Sequence, residues 1–123
     1  MAVTADNSTL IVADSYRHTL VAFDISADGG LSHRRAWADL SAGTPDGICA
    51  DAQGAFWYDV PGKRCVHVAE GGTMLRTVEL DRGGFACALG GPRTDDAVHR
   101  GRQVARHDRV AEPKGGGSRC LFK

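Results

Sequence analysis

Long apolar runs are missing from this chain, and no segment approaches the ~20 consecutive apolar residues that a bilayer-spanning helix needs. The opening residues, Met1-Ala2-Val3-Thr4-Ala5-Asp6, have neither a basic region nor an apolar core, so they do not read as a secretion signal. Close-spaced cysteine pairs are missing as well. Cys49, Cys65, Cys87 and Cys120 show no C-x-x-C spacing, which favours reduced thiols, three of them packed in strands as small hydrophobes. A zinc cluster is the remoter alternative, because structural zinc sites bring their ligands in close pairs. No stretch carries the 3.6-residue periodicity of an amphipathic helix. The formal net charge is +0, and no aromatics interleave the dispersed basic residues near the C-terminus, so the signature of a nucleic-acid-binding arm is lacking. These absences lead to an expectation of a cytoplasmic protein with neither a membrane nor a nucleic-acid partner.

What is present is turn chemistry and short apolar strands. Sixteen glycines exceed ordinary usage and suit a fold with many tight turns. A hydrophobic content of 42% against 24% charged residues is ordinary for a globular domain, so composition does not argue for disorder. In the first half, Leu10-Ile11-Val12-Ala13 and Thr19-Leu20-Val21-Ala22-Phe23 flank the polar turn 14–18. Ala27-Asp28-Gly29-Gly30 is a second turn, and residues 31–40 follow as a more polar strand. The second half has the same plan. Ile48-Cys49-Ala50, Ala55-Phe56-Trp57-Tyr58, Cys65-Val66-His67-Val68-Ala69 and residues 73–80 are its four strands, and Phe85-Ala86-Cys87-Ala88-Leu89 opens a third unit. Laid over each other, Leu10 meets Phe56, Val12 meets Tyr58 and Leu20 meets Val66. Four strands per unit, growing more polar outward, describe the blade of a β-propeller. The expected fold class is all-β: about two four-stranded blades and the start of a third.

After Pro92 the character changes. Residues 1–92 carry seven basic and eleven acidic side chains, and residues 93–123 carry eight basic and four acidic. The sequence divides accordingly into a partial propeller over 1–92 and a basic, irregular tail over 93–123. Two readings of that tail stay open. It is a genuine flexible extension, or a reading-frame slip, since residues 96–108 back-translate with permitted codons into an apolar strand one base out of phase. The coding DNA decides between them.

Three stretches carry a family resemblance. They are residues 1–15, with Ala13-Asp14-Ser15 closing them; residues 44–57, containing Pro45-Asp46-Gly47; and Phe85-Ala86-Cys87-Ala88-Leu89-Gly90-Gly91-Pro92. In this order and spacing, residues 1 to about 92 resemble the C-terminal half of the regucalcin/gluconolactonase, or senescence-marker-protein, family of six-bladed propellers. The resemblance implies a lactone hydrolase with one divalent cation, calcium or zinc, at the central opening. Family members hold that ion with a Glu, Asn side chains and an Asp, and the position matching the Asp is Asp46. It would serve as metal ligand and as the base that activates water, chemistry suited to a carboxylate beside a hard cation. The family's Asn-Gly pair, whose Asn is a ligand, maps just ahead of Met1, and the remaining ligands map to earlier blades. The resemblance therefore implies a fragment that retains one ligand, with a small lactone as substrate of the intact parent. Open blade edges imply self-association, which a monodisperse monomer in sedimentation velocity would contradict.

The residues themselves leave other readings open. Pro-Asp-Gly is a good β-turn sequence, so Asp46 is equally a turn residue. Asp14, Asp51 and Asp59 read as turn caps rather than a carboxylate cluster. His18 and His67 read as surface or packing histidines, and His99 and His107 fall in the tail. Phe56, Trp57 and Tyr58 read as blade packing ahead of a sugar-stacking platform. The alternative to a lactonase is a non-catalytic propeller fragment or binding module.

Overall fold

The computed structural model describes residues 1–41, 43–62, 64–80, 86–89, 97–100 and 121–122. The first unit forms four strands, β1 (Ala2–Val3), β2 (Thr9–Asp14), β3 (Thr19–Ile25) and β4 (Leu31–Asp39), paired in that order. The second forms β5 (Ile48–Ala50), β6 (Phe56–Val60), β7 (Arg64–Val68) and β8 (Met74–Glu79), again paired in chain order. All pairings within both sheets are antiparallel. A third sheet joins β9 (Ala86–Leu89) antiparallel to β10 (Ala97–Arg100), which runs parallel to β11 (Leu121–Phe122). The protein is a partial β-propeller, as the repeat predicts. The strand Ala97–Arg100 lies inside the segment read from sequence as an irregular tail. It forms because the edge of β9 offers a full row of backbone partners, which no side-chain pattern announces. The rest of 93–123, His107 and Cys120 included, lies outside the described residues, apart from Leu121–Phe122.

Alternation along the strands creates one core between the first two sheets. Ile11, Leu20, Ala22 and Trp37 from the first sheet pack against Ile48, Phe56, Tyr58, Val66 and Val68 from the second. Trp37 meets Phe56 edge-on, with ring centroids 5.0 Å apart and planes at 73°. The opposite face of the second sheet carries Cys49, Trp57 and Cys65, against which Val78 and Cys87 pack. The outer strands are polar and exposed as expected: β4 buries only Trp37 and Ala38, and β8 buries nothing.

The register corrects one detail of the repeat. Asp14 pairs with Thr19, leaving residues 15–18 in the first turn, whereas Val60 pairs with Arg64, leaving residues 61–63 in the second. The second turn is one residue shorter, so Leu20 corresponds to Cys65 and not to Val66. Burial agrees: Leu20 faces the second sheet, while Val66 faces back toward the first.

Between β7 and β8 lies a single 3-10 turn, Glu70–Gly72, the one helical element among the described residues. Its last residue sets the spacing of the blades. Gly72 has φ +96, and a Cβ there would come 2.4 Å from the carbonyl oxygen of Asp39 at the end of β4. Only glycine allows the second blade to seat this closely against the first.

Candidate functional site

Asp46 stands at the head of β5, the inner strand of the second blade. Its backbone N–H donates to the Asp59 carbonyl at 3.0 Å, and the Asp59 N–H donates to the Gly47 carbonyl at 3.0 Å. These bonds extend the β5–β6 ladder to the end of the strand. Pro45 is fully buried, while Asp46 itself is exposed. Pro45-Asp46-Gly47 does not form the hydrogen-bonded turn its sequence suggests; the ladder to Asp59 fixes the backbone instead, with the Asp46 residue exposed.

The preceding loop is fastened by the first blade. Ser15 Oγ donates to the Pro45 carbonyl at 2.5 Å. His18 Nδ1 lies 3.3 Å from the Gly43 carbonyl and 3.2 Å from Thr44 Oγ1. Gly43 lies against Tyr58, where an added Cβ would approach the phenol oxygen to 2.8 Å. Burial pushes the Tyr58 phenol above its ordinary range, so it stays protonated and can donate. Ser15 and His18 are therefore positioning residues for the loop that leads to Asp46. Sequence reading gave neither this task, because their partners lie 25 to 30 residues away and no local pattern marks them.

Among the described residues, no cluster of acidic groups gathers around Asp46. Asp14 caps its own turn by accepting from the Arg17 N–H at 3.1 Å, as read from sequence. Asp51 does likewise, taking the N–H groups of Gln53 and Ala55 at 2.8 Å each, and its other oxygen lies 2.6 Å from His67 Nε2. His67 in turn stacks on Trp57 with centroids 4.4 Å apart and planes 3° from parallel. The packing roles of His67 and Trp57 are as expected, and Phe56, Trp57 and Tyr58 are all buried, leaving no open platform for a sugar ring. Asp59 differs from its reading as a turn cap. It lies within β6, completely buried. Alternation puts its side chain on the face of Trp57.

The donor set can now be tested against a hard divalent ion. Such an ion takes about six oxygen ligands. Among the described residues, no group of three or more His, Cys, Asp or Glu is placed to hold a metal. Asp46 offers one carboxylate, and the Ser15 hydroxyl donates its proton to the Pro45 carbonyl. The described residues do not make a self-contained cation site. Nor do Cys49, Cys65 and Cys87 form one for zinc.

Comparison with known proteins places this geometry. Residues 1–98 match the family described as the SMP-30/Gluconolactonase/LRE-like region. The chain belongs to that family. Among solved structures, it is similar to a luciferin-regenerating enzyme, with 26% identity and a TM-score of 0.69 over 78% of this chain and 34% of that one. It is also similar to a gluconolactonase from Xanthomonas campestris, with 28% identity and a TM-score of 0.61 over 72% of this chain and 29% of that one. A calcium-binding regucalcin from Agrobacterium tumefaciens, at 20% identity and TM-score 0.68, covers 78% of this chain and 35% of its own, and speaks for the fold. The chain thus spans about a third of the length of the structures it matches. Among the described residues, no helix is long and apolar enough to cross a membrane.

Proposed function

We propose that this chain is a segment of a metal-dependent lactone hydrolase, that it contributes Asp46 to the metal site, and that it does not turn over lactone by itself. One observation carries the reading. Asp46 is the exposed carboxylate at the head of an inner propeller strand, held there by bonds from the neighbouring blade, in a chain that belongs to the gluconolactonase family. A carboxylate in that position is a suitable oxygen ligand for calcium, zinc or manganese and a suitable base toward water. The cage that would complete it is not assembled from the described residues, so no catalytic step is assigned to this chain alone. The same donor set favours the second reading, a non-catalytic propeller segment, for the isolated polypeptide. Its buried thiols suit a reducing cytoplasm.

Gluconolactone hydrolysis, followed by acid release with and without added calcium, zinc or manganese, tests both parts. The rate of the chain and of Asp46→Ala should equal that of buffer. Metal-dependent turnover abolished in Asp46→Ala would show that the site is complete here. Metal-dependent turnover that survives the substitution would remove Asp46 from the chemistry altogether.

A further inference from the structure

The back face of the second blade carries a group of thiols that the proposed function does not use. Cys49 lies on β5, Cys65 on β7 and Cys87 on β9, all as free cysteines. Cys49 and Cys65 are buried, and Cys87 is half-buried against both and against Trp57. Three contacts fix where the Cys87 sulfur sits. It donates toward the Gly47 carbonyl at 3.4 Å and toward the Trp57 carbonyl at 3.3 Å. Gly47 precedes Cys49 by two residues on the same strand line, and Trp57 is the cross-strand partner of Cys49. These oxygens bracket Cys49, and Cys87 packs against the cluster that Cys49 forms with Trp57 and Cys65. The two inner strands lie side by side, with Cα atoms of β5 and β9 within 8 Å of one another.

Cys65 is the poorer partner for Cys49. In the register, Cys49 pairs with Trp57 and Cys65 with Asp59, so the strand β6 runs between them. A disulfide requires Cα atoms about 4.4–6.8 Å apart, less than the width of two strand spacings.

We propose that Cys49 and Cys87 are a thiol pair poised to form an inter-blade disulfide, with a low-molecular-weight disulfide such as oxidised glutathione as the oxidant. Cys87, the less buried of the two, reacts first. Its thiolate attacks one glutathione sulfur, the glutathione S–S bond breaks, and one glutathione thiolate leaves. Cys49 then loses its proton and attacks the Cys87 sulfur, expelling the second glutathione. Two cysteine thiols are oxidised by two electrons, one glutathione disulfide is reduced to two thiols, and the two cysteine protons pass to the departing thiolates. The hydrogen bond to Cys49, together with burial, pushes the Cys87 thiol far above its ordinary range, so thiolate is scarce and the exchange is slow. The product covalently fastens the first strand of the third sheet to the second blade. A reducing cytoplasm keeps the pair open, and an oxidised glutathione pool closes it.

The test incubates the full chain with oxidised glutathione for hours and maps its peptides without reduction by mass spectrometry. The expected result is a linked peptide pair containing Cys49 and Cys87, lost in Cys49→Ser and in Cys87→Ser but kept in Cys65→Ser and Cys120→Ser. The oxidised wild-type chain should also melt at least ~5 °C higher than the reduced chain, since the bridge closes a long loop. Far-UV circular dichroism on each serine variant separates loss of the bridge from loss of the fold, and the wild-type map stands without the variants. A link to Cys65 or Cys120 instead, a glutathione adduct on Cys87 that never resolves, or no loss of thiols would each overturn the proposal.

Discussion

Phe56→Ala should cost the protein about 3–5 kcal/mol, a large share of the stability available to a domain of this size. Phe56 is completely buried in β6, the second strand of its sheet, with Ala50 and Val68 paired to either side. Its ring also takes the edge of Trp37 from the first blade. Truncation therefore opens a cavity at the one place where both blades share a core, and it removes an aromatic pair worth about 0.5–1.5 kcal/mol beyond its buried area. Phe56→Leu keeps most of the volume and should lose only ~1–1.5 kcal/mol. Urea unfolding of the three proteins checks this. A loss below about 1 kcal/mol in Phe56→Ala would mean that the blades do not share the core described above.

The second large effect belongs to Asp51, whose carboxylate is 5% exposed and has three partners. Asp51→Ala leaves two backbone N–H groups and the His67 ring without their acceptor. Orphaned buried donors cost about 1–3 kcal/mol each. Several are orphaned together here, so the expected loss is about 3–5 kcal/mol in urea unfolding. Asp51→Asn retains an oxygen for the two amides and should lose less. His67→Ala leaves the carboxylate capped by backbone, although it also forfeits the stack on Trp57. A double-mutant cycle between the two residues should give a coupling of about 1–3 kcal/mol. A coupling near zero would reduce Asp51 to a turn cap and nothing more.

The contrast between these residues shows what the sequence could and could not reveal. Strands such as Thr9–Asp14 and Phe56–Val60 were legible because runs of Ile, Val, Phe and Tyr lie between turns rich in Asp and Gly. The repeat was legible too, but its offset slipped by one after the second hairpin of the blade because a three-residue turn between β6 and β7 replaces the four-residue turn between β2 and β3. Asp51 was legible as a cap because its amide partners lie two and four residues on. Its pairing with His67 was not, since that contact spans 16 residues and depends on strand register. The same holds for Cys87, which meets Gly47 across 40 residues. Pro45 and Gly47 suggested a turn at Asp46, but ladder bonds to Asp59 hold it instead, and the clamps on its loop, Ser15 and His18, come from the other blade. β10 was invisible because Ala97-Val98-His99-Arg100 has no apolar run, and its strand form comes from pairing with β9.

Asp46 as a single carboxylate without its co-ligands is the point on which the functional account turns. Calorimetric titration of calcium, and separately of zinc, into the purified chain and into Asp46→Ala measures it most directly. The account predicts the same weak, unsaturable heats for both proteins. A saturable isotherm with one ion per chain, abolished by Asp46→Ala, would contradict it.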